Sequence, residues 1–336
     1  MLRKNVFMFL VFLWISTTIL AAAQPTKVIV DVDLDTVGDD AMALLALIQS
    51  EKVNVLGVTT VTGNVWGEQA TANTRRLLEA IGRAEIATYA GANYPLVNTP
   101  EELQRREKRY GSTSDGGYKG AWEEIENPPK RKVHQSLPAP RFLVETIKEH
   151  PNEVVLIAVG PLTNISLALS EAPEISSLVK EIIIMGGGID TPPEFNFWLD
   201  PEAAHQVLRA TWPQVVLTPL NICQQAPLTP KVIRELVEGD SPIARYFEQH
   251  LGGESAPKGP SLMYDQVAVI SFLEPSVVRR SELMWLDVEV DHGPDYGATR
   301  HWRSGEQPPE GVRKVKVQLD LDYPRFVEEF VALMRR

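Results

Sequence analysis

Apolar residues recur along the chain in two alternating rhythms. Lys27-Val28-Ile29-Val30 is a short β-branched run ending in acids, the composition of a strand buried on both faces. Ala41 to Gln49 is rich in helix formers, and Asp39 and Asp40 precede it where a helix N-terminus favours negative charge. Val53 to Thr62 returns to strand composition and ends at Gly63-Asn64. Glu68 to Ile81 has helical spacing and closes on Gly82, a C-terminal cap. Ile86 to Ala90, Val154 to Val159 and Glu181 to Met185 read as further strands, with a helix over Asn164 to Leu169 between the last two. Strands alternating with helices predict an α/β fold: a single domain with a mainly parallel central sheet flanked by helices. No internal repeat is visible.

Two segments depart from this rhythm. Met1-Leu2-Arg3-Lys4 is a basic start, Val6 to Leu20 is apolar, and Ala21-Ala22-Ala23 precedes Gln24-Pro25. This order of basic, apolar and small residues predicts a signal peptide over residues 1–23, cleaved near Ala23 to release an exported domain over residues 24–336. An uncleaved anchor helix is the alternative reading of the same apolar run. No other stretch is long and apolar enough to span a bilayer, so no membrane association is expected after cleavage. The second departure, Asn98 to Pro140, is charged and rich in Gly and Pro. It reads either as a solvated excursion with one short helix or as a lid, in which Tyr118 and Trp122 would be the aromatic contacts.

Composition narrows the function. Among 336 residues, Lys plus Arg number 33 against 44 Asp plus Glu, a net charge of −11. That balance argues against a nucleic-acid polymer or an anionic membrane as partner, and is compatible with a cation site. Cys223 is the only cysteine, which excludes an intrachain disulfide and a cysteine-based zinc cluster.

The candidate chemistry lies where the first strand ends. Asp31, Asp33, Asp35, Asp39 and Asp40 place five carboxylates within ten residues. They repel one another unless a cation sits among them, and oxygen-only donors suit calcium or magnesium. Solvated turn acids are the bland alternative. The pattern Asp33-x-Asp35-x-Val37 also resembles the nucleophile motif of haloacid-dehalogenase-type phosphatases. There the motif follows the strand directly, whereas this strand meets Asp31 first, and no later strand-borne acid pair completes a magnesium site.

A broader resemblance is to the inosine–uridine-preferring nucleoside hydrolase family. Five elements carry it in order: Asp31-Val32-Asp33 with Asp39-Asp40-Ala41; Thr59 to Asn64, ending Gly-Asn; Val159-Gly160-Pro161-Leu162-Thr163-Asn164; Met185-Gly186-Gly187 followed by Glu194-Phe195-Asn196 and Asp200-Pro201-Glu202-Ala203-Ala204; and Tyr264-Asp265 heading an apolar helix. The resemblance implies calcium-dependent hydrolysis of the N-glycosidic bond of a ribonucleoside, or a related N-ribosyl compound, to free base and ribose. It implies a calcium ion held by Asp33, Asp40, the Val159 carbonyl and Asp265. Depth along the strand favours Asp33, while an alternative register makes Asp35 the first ligand. Asp39 would act as general base on the calcium-bound water. Asn64, Glu194, Asn196 and Asp265 would contact the ribose, with Met185 beneath the sugar.

Two departures from the family pattern bear on substrate choice. Tyr264 stands where many members carry the histidine that protonates the departing base. The stretch Gly188 to Thr191 is shorter than the family loop and offers Asp190 in place of a ribose-binding Asn. Trp66, two residues beyond Asn64, is either a base-stacking surface or a core residue. The six histidines are scattered without metal-ligand spacing. A non-catalytic, calcium-dependent binder of ribosyl ligands is the rival reading, and Tyr264 is what sustains it. The resemblance also implies a homodimer or homotetramer.

Overall fold

Among the described residues, nine strands join in one sheet of order β3-β2-β1-β4-β5-β6-β9-β7-β8. The computed structural model describes residues 24–111, 137–253 and 261–336. The signal peptide expected over residues 1–23, and the aromatic contacts Tyr118 and Trp122, lie outside the described residues. The first half of the sheet follows the predicted rhythm: β1 (Thr26–Val32), α1 (Asp39–Gln49), β2 (Val53–Thr60), α2 (Gly67–Ala80), β3 (Thr88–Ala90). After α3 (Pro100–Tyr110) and α4 (Ala139–Glu149) come β4 (Val154–Ala158), α5 (Thr163–Glu171), α6 (Ile175–Leu178) and β5 (Glu181–Met185). The short helix expected in the charged excursion is α3, whose N-cap Thr99 accepts a hydrogen bond from the Glu102 amide at 3.2 Å.

The parallel half is buried on both faces, and its side chains alternate between two cores. Val155 and Ile157 of β4 join Val28, Val30 and Val32 under α1. Val154, Leu156 and Ala158 face the other way, with Ile29, onto α4 and α5. This period of two explains why these strands read as continuous apolar runs.

Beyond β5 lie α7 (Phe195–Leu199), α8 (Pro201–Arg209), β6 (Val215–Thr218), α9 (Leu220–Cys223), α10 (Pro230–Val237), α11 (Pro242–Leu251) and α12 (Asp265–Leu273). β7 (Val278–Val288), β8 (Thr299–Trp302), β9 (Arg313–Leu321) and α13 (Tyr323–Met334) close the chain. β9 runs parallel to β6, while β7 pairs antiparallel with both β9 and β8. The sheet is therefore mainly parallel with an antiparallel edge. Three predicted strands are shorter than read: β2 ends at Thr60, β3 starts at Thr88 and β4 ends at Ala158. Among the described residues no helix is long and apolar enough to cross a membrane.

Candidate active site

The carboxyl ends of β1, β4 and β5 lie side by side, and ligands of open α/β sheets bind beyond such ends. Pairing continues past the strands: the Val61 amide donates to the Val32 carbonyl, and the Val159 amide to the Asp31 carbonyl, both at 2.9 Å. These bonds draw three chain turns around the end of β1.

Asp31 is fully buried between β2 and β4. Its Oδ1 accepts from the Thr59 hydroxyl at 2.5 Å and from Asn164 Nδ2 at 2.7 Å, while Oδ2 has no partner. Burial pushes its carboxyl up to about 6 despite these donors. Two residues on, Asp33 accepts from the Asn64 amide at 2.7 Å through Oδ2, and its buried Oδ1 has no hydrogen-bond partner. Burial first, aided by the charge of Asp39, pushes Asp33 up to about 7. The two motif glycines make room for it. A β-carbon at Gly63 would fall 1.9 Å from Asp33 Oδ2, and one at Gly160 would fall 2.8 Å from Oδ1.

The remaining acids stand at helix N-termini. Asp39 and Asp40 open α1, Asp265 opens α12, and the two helices pack together. Oxygens of Asp39, Asp40 and Asp265 all lie within 4.8 Å of one another. Asp40 is held through both oxygens, by the Asp33 amide at 3.0 Å and by Asn64 Nδ2 at 3.2 Å. Burial, then the charge of Asp33, raises the Asp40 carboxyl well above its usual range; burial, then the charge of Asp39, does the same to Asp265. Two converging helix dipoles offset part of that repulsion, by at most about 2 kcal/mol each. The remainder calls for protons or a cation. All the groups are hard oxygen donors, as calcium requires, and Asp33 adds an unpartnered oxygen beside them.

The opposite wall is built by α7. Glu194 caps this helix, accepting from the amides of Asn196 at 2.9 Å and Phe197 at 3.2 Å, and also from the Gly187 amide at 2.8 Å. Asn196 Nδ2 donates to the Val159 carbonyl at 2.8 Å and the Met185 carbonyl at 3.3 Å, clamping the ends of β4 and β5. A carbonyl oxygen has two acceptor sites, so Val159 keeps one for a second partner.

Asp33, Asp39, Asn64, Val159, Met185, Glu194, Asn196 and Asp265 line one cleft of about 460 Å³, a volume suited to a small ligand. Asp40 is buried behind it, in the cluster with Asp39 and Asp265. The residues assigned to the calcium and ribose sites are thus gathered at one place. The sequence reading missed Phe195, Ser261 and Leu262, which complete the lining with Tyr264 and Asp35. Their only sequence signal is adjacency to Glu194-Asn196 and Tyr264-Asp265. Asp35 lies outside the Asp39–Asp40–Asp265 group, though its charge acts on Asp40, and its Oδ1 accepts from the Gly38 amide at 3.2 Å and from the Thr36 amide. Trp66 packs edge-on to Tyr94 with ring centroids 5.4 Å apart, and Asp190 faces His301 at 3.9 Å with its side chain exposed. Neither is among the residues lining the cleft.

Comparison with known proteins shows the family and the fold. The sequence model of the inosine-uridine preferring nucleoside hydrolase family matches residues 28–328. An inosine-uridine preferring nucleoside hydrolase of Leishmania major is 29% identical over 311 residues, covering 89% of this chain and 95% of that one. Among solved structures, the plant nucleoside hydrolase PpNRh1 superposes with a TM-score of 0.75 at 26% identity, over 92% of this chain and 99% of that one. An inosine-guanosine nucleoside hydrolase superposes with a TM-score of 0.74 at 28% identity, over 92% and 98%.

Proposed function

The chain belongs to the inosine-uridine preferring nucleoside hydrolase family and is a hydrolase of N-glycosyl bonds; from that premise we propose that it cleaves ribonucleosides to free base and ribose in a calcium-dependent reaction. The observation that carries this reading is the convergence of four buried or half-buried carboxylates, Asp33, Asp39, Asp40 and Asp265, at the floor of the cleft. Membership of the family displaces the phosphatase alternative.

Asp33, Asp40, Asp265 and the Val159 carbonyl would hold the ion, with Asp33 preferred over Asp35 because Asp35 is tied into its own loop. Calcium bound there would neutralise the acids and polarise the nucleophilic water. The chain's own groups do the rest. Asp39, half-buried at the start of α1, takes the proton of the water. The water oxygen bonds to the anomeric carbon as the bond to the base nitrogen breaks through an oxocarbenium-like state, and the base leaves with the electron pair and takes a proton from solvent. Glu194, Asn196 and Asn64 orient the ribose, and buried Met185 gives it an apolar floor. A second assignment exchanges two roles: Asp33 as base and Asp39 as ligand. It is favoured by the unpartnered Oδ1 of Asp33 and by the place of Asp39 inside the acid cluster. Calcium calorimetry on Asp39→Asn separates them, since a base variant keeps calcium affinity and a ligand variant loses it.

The mature protein, residues 24–336, would act after export as a homodimer or homotetramer. Release of reducing sugar from uridine, cytidine, inosine and adenosine tests the function. Turnover of at least one establishes it; calcium-dependent binding of the same compounds without any release would instead support a binding protein.

A further inference from the structure

The loop between β1 and α1 carries an acid that the hydrolytic reading does not use. Asp35 lines the cleft outside the Asp39–Asp40–Asp265 cluster. Its loop is fastened on three sides. Asp35 Oδ1 accepts from the Gly38 amide at 3.2 Å, the Tyr246 hydroxyl donates to the Thr36 carbonyl at 2.8 Å, and Asn73 Nδ2 donates to the Leu34 carbonyl at 3.3 Å. The carboxylate is therefore held in place beside the substrate volume.

Asp35 adds to a one-signed lining. Asp33, Asp39, Glu194 and Asp265 line the same cleft, Asp40 lies behind them, and no Lys, Arg or His is among the described lining residues. The buried Oδ1 of Asp33 meets no hydrogen-bond donor. A divalent ion offsets two of these charges and leaves an excess of negative charge. Clefts of one sign with apolar walls concentrate the field and draw in ligands of opposite charge. The described lining is equally one-sided in its acids: the only hydroxyls are those of Tyr264 and Ser261, and alcohols and phenols give up protons reluctantly near neutral pH.

We propose that this cleft prefers ribonucleosides whose base is positively charged at or next to the glycosidic nitrogen, such as N-ribosylpyridinium and N7-alkylated purine ribosides, over neutral nucleosides. The inference rests on the ribonucleoside-hydrolase reading and narrows it. The chemistry balances without a proton donor. Water oxygen bonds to the anomeric carbon, the carbon–nitrogen pair goes to the nitrogen, and the base leaves neutral while the proton of the water goes to a carboxylate and then to solvent. The positive charge disappears from the base as it builds on the sugar ring, beside the acids.

The test compares N7-methylinosine with inosine, and N-ribosylpyridinium with uridine, on the purified protein in calcium. Because N7-methylation also makes the bond intrinsically more labile, the decisive readout is the variant Asp35→Asn. Asparagine keeps the Oδ1 acceptor of the turn and removes only the charge. The expected result is that Asp35→Asn lowers kcat/KM for both cationic ribosides about threefold to tenfold more than it lowers kcat/KM for inosine and uridine. Added salt should weaken the cationic advantage in the wild type, and by less in the variant, where one of the acids has lost its charge. Equal effects of Asp35→Asn on charged and neutral substrates, or turnover of neutral nucleosides alone, would overturn this inference and leave the family reaction standing. Turnover of none of the four would overturn the ribonucleoside-hydrolase reading itself.

Discussion

Two glycines decide where Asp33 stands. A methyl at Gly63 would fall 1.9 Å from its Oδ2, 2.6 Å from its Cγ and 2.8 Å from its Cβ, so the overlap runs to the root of the side chain and displaces the carboxylate. Gly63→Ala should therefore leave a folded protein whose turnover falls at least about a hundredfold, because misplacing a reacting group by about an ångström costs that much. Circular dichroism alongside sugar release checks it, and near-wild-type turnover would remove Asp33 from the site. Asp265 carries a different burden. It is buried, it opens α12, and its charge is opposed by Asp39, Asp40 and Asp33. Asp265→Ala should abolish calcium binding in calorimetry, and unchanged affinity would contradict its assignment as a ligand. The acids and glycines behind these two predictions are visible in the sequence as motifs. The clamp by which Asn64 holds both Asp33 and Asp40 is not, because it joins residues 31 and 24 positions apart.

Among the elements, the five-residue helix α7 has the largest effect on the site for its size. Glu194 satisfies two of its first amides and reaches the Gly187 amide, while Asn196 ties the ends of β4 and β5 together. Glu194→Ala removes the cap, a loss of about 1 kcal/mol in stability, and releases Asn196 from its geometry. The expected outcome is a modest fall in Tm with a far larger fall in kcat/KM; proportionate falls in both would make Glu194 a structural cap alone. The elements that position the site were legible because β1, β4 and β5 are buried on both faces and so appear as apolar runs. β7 was not, since its first six residues are only partly buried or exposed and give no clean alternation. The helices α10, α11 and α13 also escaped assignment, although Thr229, Ser241 and Asp322 each cap one and each cap is followed within two residues by a proline. A cap motif states that a helix begins, but its place in the fold depends on a core that only the assembled chain creates.

Across the whole molecule, the buried acids link folding, pH and metal. Asp31 and Asp200 are raised to about 6 and Asp33 to about 7 by burial, and burial with neighbouring negative charge raises Asp40 and Asp265 well above the usual carboxylate range. A raised carboxyl means the folded protein holds protons that the unfolded chain has already lost. Stability of the calcium-free protein should then fall as pH rises from about 4 through 7, the reverse of the usual carboxylate behaviour. Calcium binds the ionised cluster and should restore stability most where the protons are gone, by about 2.7 kcal/mol at a hundredfold excess over its Kd. Melting curves at pH 5, 6.5 and 8, with chelator and with calcium, should show the calcium increment in Tm growing with pH; an increment largest at pH 5 would refute the linkage. The mainly parallel sheet followed from the sequence rhythm, and the grouping of Asp265 with the acids after β1 from the family resemblance. The antiparallel edge and the depth at which each acid is buried did not, because both depend on contacts between distant segments. The account stands on a divalent cation in that cluster driving cleavage of a ribosyl–nitrogen bond. The most direct measurement is sugar release from uridine and inosine by protein stripped with a strong chelator and then titrated with calcium. The account predicts loss of turnover on stripping and full recovery near one calcium per chain. Turnover that survives stripping, or that calcium does not restore, would contradict it.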